Sequence, residues 1–398
     1  MKTYEKTHPW ISFSINMTAA KPTLWMLLGE ASSKCEHIAG VPLQPNTAER
    51  LYQLYLAKGA AATTAIEGNT LTEDEVLKRI EGNLKLPPSK EYLGQEVDNI
   101  VNACNQIVKD LEADHDVLTA QRIKDFNRLV LSGLTTLEKE VVPGTIRPYP
   151  VLVGNVYRGA PAEDCEFLLD RMCEWLAGAD FKVPENLKHT GLDTVYAILK
   201  AIVAHIYLAW IHPFGDGNGR TARLIEFALL MAAGVPQPAC HLLSNHYNQT
   251  RSRYYQQLDL ASKSGGDILP FIEYALQGFV DGLREQLDTV RMQQWTVSWI
   301  NYVHDFFRDK ESATHKRQRD LLLDLSQTPD FVPAGKVNEL TPRLAKVYAS
   351  KTSRTLFRDL KELEKTELIE RTEQGVRAKR EIILAFLPWR KKAVQAKK

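Results

Sequence analysis

The sequence feature that most constrains the fold is a glycine-rich segment between two apolar stretches. The run Val195–Ile211 is interrupted only by Lys200 and His205, and a second apolar stretch begins at about Gly219. Between them, HPFGDGNGR supplies three glycines, one aspartate and one histidine. A membrane span needs about 20 apolar residues in succession, so the first run is expected to be a buried helix. The chain is therefore expected to fold around two core helices joined by a short polar loop.

This loop has the character of an anion site. Closely spaced glycines let successive backbone N–H groups converge on one anion, and the positive end of the following helix adds to the attraction. The GxGxG spacing differs from a dinucleotide fingerprint, and no GxxxxGK[ST] Walker loop occurs in the chain. Arg220 and Arg223 fall in the first turn of the next helix, where a cation costs about 0.3–1 kcal/mol. Two wrong-signed charges there indicate that an anion such as phosphate lies between them.

Two more side chains of the loop suit phosphate chemistry. Asp216 is a natural ligand for Mg²⁺, which prefers one or two carboxylates together with phosphate oxygens. His212 has a side chain that ordinarily titrates near neutral pH, so it is a candidate general base towards an incoming hydroxyl. A lone histidine at a helix end is usually structural. All of these residues within 12 consecutive positions indicate a catalytic loop instead.

The segment HPFGDGNGRTAR matches the signature HxFx(D/E)GNGRxxR in full, and on these residues the chain resembles the Fic family. The resemblance extends over about residues 22–279. Residues 143–161 resemble the flap of the family, and residues 253–272 resemble its downstream YYxxL…GDxxPFI stretch. The resemblance implies a mainly α fold: a Fic-type helical core with a short β-hairpin flap, plus a C-terminal winged-helix-like domain.

The family resemblance also implies an activity, the transfer of AMP from ATP to hydroxyl side chains (Tyr, Thr or Ser) of target proteins and of the enzyme itself. His212 would deprotonate the target hydroxyl, and Asp216 would hold Mg²⁺ between the α- and β-phosphates. The flap would pin the target segment by strand addition. The residues that would hold ATP are Gly217, Asn218, Gly219, Arg220, Arg223 and Tyr254.

A second motif lies N-terminal to the signature. The segment TTAIEGN at residues 63–69 matches the (S/T)xxxE(G/N) inhibitory motif of the Fic family. Glu67 is expected at a helix C-terminus, the wrong end for an anion. Pairing between Glu67 and Arg223 would explain both wrong-signed charges and would displace the γ-phosphate. The sequence therefore predicts an autoinhibited enzyme.

Charge divides the chain near residue 312. The net charge is only +1, but residues 312–398 hold 20 basic and 11 acidic residues, so the remainder is acidic. Such an asymmetry marks a module boundary. The expected divisions are an N-terminal helical region with the inhibitory helix (1–115), a Fic catalytic core (116–280), a connecting helix (281–311) and a winged-helix-like domain (312–398).

Local patterns refine these divisions. Asn46 to Glu49 and Thr72 to Glu75 resemble capping boxes at helix starts. A flap hairpin is expected with Val151–Val153 paired to Val156–Arg158. In the C-terminal domain, two helices should be followed by strands at Leu368–Thr372 and Glu381–Phe386, as in a winged helix. Arg354, Arg358, Lys361 and Lys365 share one face of the second helix, which permits DNA contact.

Two alternative functions remain open on the sequence. The same residues could remove AMP from modified proteins, with Glu67 orienting a water, or the C-terminal domain could act as a DNA-binding regulator. The resemblance also suggests a homodimer. Five scattered cysteines without a CxxC pair argue against a disulfide framework or a zinc site, and the N-terminus has no apolar signal segment. A cytoplasmic protein without membrane contact is therefore expected.

Overall fold

The computed structural model of this chain is mainly helical, as the sequence predicts. It describes residues 2–113, 116, 118–134, 138, 140–154, 156–185 and 191–384. The chain divides into two compact units, Met1–Asp288 and Thr289–Lys398. Each unit has its own cluster of buried apolar side chains.

The first unit is built almost wholly from α-helices. They are α1 (Tyr4–Thr7), α2 (Pro22–Ala39), α3 (Pro45–Ile66), α4 (Glu73–Ile80), α5 (Glu91–Glu112), α6 (Ala120–Val130), α7 (Cys165–Leu176), α8 (Leu192–Ile211), α9 (Asn218–Ala232), α10 (Leu242–Gln249), α11 (Arg251–Lys263) and α12 (Leu269–Phe306), the last of which continues into the second unit. Short 3-10 turns occur at Met17–Ala19, Pro88–Lys90, Ala162–Asp164, Ala179–Phe181 and Gln237–His241.

Helices α8 and α9 form the centre of the first unit. Helix α8 packs against α2, α7 and α9, and α9 also contacts α3, α5 and α6. Helix α8 is long and apolar enough to cross a membrane, but 78% of its apolar window is buried inside the protein. It is therefore a core helix, as expected. The loop between α8 and α9 is held at the point where these helices meet.

The helix starts confirm one capping box and correct the other. At α4, the Thr72 side chain accepts from the Glu75 backbone and the Glu75 side chain accepts from the Thr72 backbone. The box expected at Asn46 is wrong, because α3 begins at Pro45 and Asn46 is already a helical residue. Proline suits the first helical position, since its φ is already helical and its missing N–H needs no partner there.

The flap expected from the sequence is confirmed as a short hairpin. Strand β1 (Leu152–Val153) pairs antiparallel with β2 (Tyr157–Arg158). A separate antiparallel bridge joins Ile146, before the hairpin, to Phe214 in the loop between α8 and α9. The flap is thereby hydrogen-bonded to the loop that carries the signature.

The second unit has the expected order of helices and hairpin, with one correction. Its further elements are α13 (Ala313–Leu325), α14 (Pro342–Tyr348), α15 (Ser353–Lys365), β3 (Ile369–Thr372), β4 (Gly375–Ala378) and 3-10 turns at Ala334–Glu339 and Arg380–Ile383.

The second strand of this hairpin lies earlier than expected. The expected strand at Glu381–Phe386 is wrong as far as it is described, since residues 381–383 form a 3-10 turn and 385–386 lie outside the described residues. The chain reverses directly after Thr372, which pairs with Gly375 across a two-residue loop. Gly375 has a φ of +138° and lies against the Val332 carbonyl, where no larger residue fits. The tight turn therefore places the second strand immediately after β3.

Candidate functional site

The loop between α8 and α9 folds sharply at two positions. His212 follows α8 in the left-handed region (φ 49°), and its N–H still donates to the Leu208 carbonyl at 2.8 Å. Phe214 is buried and anchors the loop. Gly217, also left-handed (φ 74°), is the N-cap of α9. Glycine adopts this conformation without steric cost, so α9 can begin immediately after the loop.

Asn218 closes the loop upon itself. Its side-chain oxygen accepts from the Phe214 N–H and its side-chain nitrogen donates to the Phe214 carbonyl, both at 2.9 Å. One of the two amide N–H groups is therefore used within the loop. The N–H groups of Asn218, Gly219 and Arg220 belong to the first turn of α9, where they have no acceptor within the helix. They are the donors that the predicted anion cradle would use.

Asp216 and Arg220 meet at the start of α9. An Arg220 Nη lies 3.3 Å from both Asp216 carboxylate oxygens, and the other Nη lies 3.4 Å from Glu96. Arg220 is buried and its Nε has no hydrogen-bond partner among the described residues. The Asp216 side chain is 45% exposed. A buried guanidinium with an unused donor beside an open carboxylate suits a phosphate with its cation.

Buried Arg223 forms an ion pair with Glu67, whose side chain is 33% exposed. An Arg223 Nη lies 2.6 Å from a Glu67 oxygen and also donates to the Thr63 carbonyl at 3.0 Å. Burial alone would raise the pKa of Glu67, but the charge of Arg223, helped by Arg220, outweighs it and holds that pKa below its usual value. Glu67 is therefore ionised at neutral pH. Gly219 lies directly beneath its carboxylate, where a methyl group would collide with it.

The chain contains a natural control for Glu67. The tetrapeptide Ile-Glu-Gly-Asn occurs at residues 66–69 and again at 80–83, each time at the end of a helix. Both glutamates are partly exposed, but Glu67 lies 2.6 Å from Arg223 and lines the pocket, whereas Glu81 is not part of the pocket lining. The same local sequence thus places one carboxylate in the site and the other outside it. Tertiary position, and not the tetrapeptide, decides the contact.

The surroundings of His212 determine its tautomer and its protonation state. Its Nδ1 lies 3.4 Å from the Ala209 carbonyl. A carbonyl can only accept, so Nδ1 carries the proton and Nε2 keeps its lone pair. Burial lowers the pKa of His212 to about 4, and the carboxylates of Glu67 and Asp216 offset this only in part. The imidazole is therefore neutral at physiological pH, as a general base requires.

Several of these residues line one pocket of about 580 Å³, a volume within the usual range for small-ligand sites, but Asp216, Gly217 and Arg220 are not part of its lining. Glu67, His212, Asn218, Gly219 and Arg223 all contribute to its wall. The remaining wall is largely apolar and aromatic, and includes the flap residues Val153, Gly154, Val156 and Tyr157 together with Tyr254, Tyr255 and Leu258. The structure therefore brings the two predicted motifs and the flap to one cavity.

The two adjacent tyrosines of α11 differ in how they meet this pocket. Tyr254, the one singled out from the sequence, is only 3% exposed and its hydroxyl is hydrogen-bonded to His205. Tyr255 is 46% exposed and also lines the cavity. Tyr255 is thus the accessible ring, and the motif alone gave no reason to choose it.

Sequence reasoning also missed two side chains that hold the loop. Buried Arg147 donates to three backbone carbonyls: His212 at 2.8 Å, Tyr149 at 2.5 Å and Ala160 at 2.6 Å. Asn127, from α6, donates to the Asp216 carbonyl and accepts from the Gly144 N–H, both at 2.9 Å. Together they tie the flap segment to the catalytic loop. The only available signal was Arg147 itself, one of two arginines in the flap segment.

Comparison with known sequences shows which family this part of the chain resembles. Residues 117–230 match the model of the Fic/DOC family. Protein adenylyltransferase Fic of Nematostella vectensis is 33% identical over 212 residues, which are 53% of this chain and 44% of that protein. Protein adenylyltransferase fic-1 of Caenorhabditis elegans is 28% identical over 240 residues, which are 57% of this chain and 42% of that protein. The chain thus spans less than half the length of these relatives.

Solved structures of Fic proteins superpose on this chain. Residues 134–508 of Fic-1 from C. elegans superpose with a TM-score of 0.53 at 26% identity, covering 68% of this chain and 73% of that one. A Fic family protein from Desulfovibrio desulfuricans G20 superposes with a TM-score of 0.55 over 89% of this chain and 92% of that one. Its identity is 21%, so this second likeness concerns the fold alone. The family resemblance inferred from the sequence is confirmed.

The Arg147 contacts predict a local effect on the loop. Arg147→Lys keeps the charge but cannot reach three carbonyls, so buried acceptors lose their donors at a cost of about 1–3 kcal/mol. We expect faster hydrogen exchange in peptides covering residues 143–161 and 205–220, measured by mass spectrometry. Arg158→Lys, at an exposed flap position, is the matched control and should leave exchange unchanged. Equal protection in both variants would contradict the clamp.

The His212 environment predicts an unusual titration. In ¹³C-histidine NMR spectra, the His212 ring should titrate near pH 4, well below the ordinary histidine pKa of 6.5. Because the unfolded chain takes up this proton first, the contribution of His212 to stability is present above pH 6.5 and is lost as pH falls towards 4. His212→Asn identifies the resonance by removing it. A midpoint at or above 6.5 would mean that burial does not control this group.

Proposed function

Because residues 117–230 form a Fic/DOC family domain, we propose that this chain transfers AMP from ATP to hydroxyl side chains of protein targets and of itself. The observation that carries the proposal is the pocket in which a neutral His212 faces the anion cradle of α9. The names of the curated relatives support adenylyl transfer. The residue modified would be a tyrosine, threonine or serine.

The proposed reaction is a single displacement at the α-phosphate. Nε2 of His212 takes the proton of the target hydroxyl while the hydroxyl oxygen attacks phosphorus. The bond between the α- and β-phosphates breaks, pyrophosphate leaves, and AMP remains on the target as a phosphodiester. The backbone N–H groups at the start of α9 stabilise the charge that builds on the phosphate oxygens.

The two arginines of α9 would hold the rest of the triphosphate. Arg220 has a buried Nε without a partner among the described residues, and Arg223 has both Nε and one Nη in the same condition. Buried guanidinium donors are costly unless they are satisfied. Phosphate oxygens would satisfy them, with Arg220 at the α- and β-phosphates and Arg223 at the γ-phosphate. The flap would pin the target beside His212.

Magnesium fits this site only together with ATP. No cluster of three or more acidic, histidine or cysteine ligands occurs in the described part of the chain. Asp216 alone offers an open carboxylate beside the cradle, which matches the preference of Mg²⁺ for one carboxylate and phosphate oxygens. When bound, the ion would neutralise charge on the leaving phosphates. Arg220, now paired with Asp216, would turn to the phosphates instead.

Glu67 would inhibit this enzyme by occupying Arg223. The ion pair takes one Nη of Arg223 and places a negative charge where the γ-phosphate would lie. ATP could then bind only in a pose that does not present its α-phosphate to the target. Release of Glu67 would open the site. Since Glu67 and His212 share one cavity, the removal of AMP from modified proteins is the alternative reaction.

The oligomeric state, the compartment and a contact with DNA are also part of the proposal. The family resemblance supports a homodimer, and the buried, free cysteines suit a reducing cytoplasmic compartment. Contact of residues 312–398 with DNA is supported by Arg354, Arg358 and Lys361, which are exposed on α15. Salt-sensitive binding of DNA by the full chain would test the last of these.

Removing the inhibitory carboxylate should activate the enzyme. We expect Glu67→Gly to raise autolabelling by α-³²P-ATP on the order of tenfold or more, since the charge-assisted hydrogen bond that occupies Arg223 is lost. Glu81→Gly is the matched control, because it makes the same change in the same tetrapeptide away from the pocket. If the two variants label equally, Glu67 is not the inhibitor.

Removing the base should abolish transfer without removing ATP. His212→Asn is preferred to alanine, since asparagine tolerates the positive φ at this position. In the Glu67→Gly background we expect labelling to fall about 10²–10⁴-fold, as for loss of a general base. The affinity for ATP, measured by calorimetry, should stay unchanged. Undiminished labelling would exclude His212 as the base.

A further inference from the structure

The C-terminal turn of α3 is held by side chains from other helices. The last four carbonyl groups of a helix have no N–H partner within the helix. In α3 these groups belong to Thr63, Thr64, Ala65 and Ile66. The Thr64 carbonyl accepts from the Asn69 N–H at 3.1 Å, within the turn that ends the helix. Each of the other three carbonyls accepts from a side chain that is distant in sequence.

Two of these three donors come from α11. Arg251, the first residue of α11, donates from one Nη to the Ala65 carbonyl at 3.2 Å. The hydroxyl of Tyr255, one turn further along α11, donates to the Ile66 carbonyl at 3.4 Å. The third donor is Arg223 of α9. Helix α11 therefore binds the carbonyl groups of the last two residues of α3.

The charge of Arg251 favours the same contact. The C-terminal end of a helix carries a partial negative charge, which a nearby cation stabilises and a nearby anion opposes. Glu67 is the C-cap of α3 and is therefore the opposed anion. Arg251 donates to a carbonyl only two positions before Glu67. Arg251 thus offsets part of the cost of holding a carboxylate at this end of the helix.

Glu67 lies between these contacts and a second anchor. On its C-terminal side, the Asn69 side chain donates to the Leu93 carbonyl at 2.9 Å and to Glu96 at 2.8 Å, both on α5. Only Gly68 separates Glu67 from this anchor. The contacts of α11 lie on the other side, at the residues that directly precede Glu67. The position of the carboxylate is therefore set from both sides.

We propose that Arg251 and Tyr255 are positioning residues that form a latch on the end of α3 and hold Glu67 against Arg223. When either donor is removed, the last turn of α3 opens more often, and Glu67 leaves Arg223 for a larger share of the time. This inference rests on the proposed function, in which Glu67 inhibits AMP transfer. It assigns the strength of that inhibition to contacts outside the ion pair itself.

The first measurement does not depend on AMP transfer. Hydrogen exchange of the full chain without nucleotide, followed by mass spectrometry, compares wild type with Arg251→Met and with Tyr255→Phe. Methionine keeps the length of the side chain without its donor, and phenylalanine keeps the ring in the pocket wall. We expect exchange about two- to tenfold faster in peptides covering residues 60–70, as for the loss of one hydrogen bond. Peptides of α7 should exchange at the wild-type rate.

Two further variants serve as controls. Arg251→Lys keeps a cation and a donor at the end of α3, so its exchange should stay close to that of wild type. Arg253→Met makes the same change two positions along α11, where the guanidinium lies 5.3 Å from the centre of the Tyr274 ring. It should leave exchange at residues 60–70 unchanged. Equal exchange in Arg251→Met and Arg253→Met would overturn the latch.

The second measurement connects the latch to inhibition. We expect Arg251→Met to raise autolabelling by α-³²P-ATP about two- to tenfold in the otherwise wild-type chain. In the Glu67→Gly background the same change should leave labelling unchanged, because the latch acts only through Glu67. An equal effect in both backgrounds would show a general structural role and overturn the inference. If residues 60–70 exchange faster but Glu67→Gly does not label, the proposed function fails while the latch on Glu67 remains.

Discussion

The ion pair between Arg223 and Glu67 is the interaction on which the rest of the site depends. Glu67 is the C-cap of α3, the unfavourable end for an anion, so its charge is opposed by the helix dipole. Arg223, expected in the first turn of α9, is its sixth residue and lies beyond that turn. Arg223 is also almost fully buried, and a buried guanidinium without an anion costs several kcal/mol. The fold meets this cost by bringing the end of α3 against the first turn of α9. That contact closes one wall of the pocket, so the pair that stabilises the fold is also the one that would block the site under the proposed function.

The contiguous part of the site could be predicted from sequence. His212, Asp216, Arg220 and Arg223 lie in one short segment, and glycines with wrong-signed charges reveal its chemistry locally. Arg147 and Asn127 could not be predicted in this way. They donate to backbone carbonyls 65 and 89 positions away. Because every residue has a backbone carbonyl, the type of the accepting residue does not indicate such a contact. For Asn218 the motif indicated the wrong role for the side chain. Its place in the signature predicts a phosphate ligand, but its side chain closes the loop.

Two other features could not be predicted for the same reason, since they depend on contacts that are distant in sequence. The repeated tetrapeptide at Glu67 and Glu81 is locally identical, and only a partner 156 positions away separates the two carboxylates. Around β3, apolar residues indicated a second strand beyond residue 380, but the tight turn at Gly375 places it earlier. Fold class and element order follow from local patterns. Register and pairing depend on contacts that are distant in sequence.

The charge states in the pocket restrict how inhibition can be released. Ionised Glu67 is needed for the pair with Arg223, and its pKa lies below the usual 4.5. In the proposed reaction His212 must be neutral, and its pKa is about 4. Acidification that protonates Glu67 would therefore also protonate the proposed base, so no mildly acidic range would free the site while keeping it active. Under the proposed function, release would instead come from movement of α3 or from a ligand that competes for Arg223.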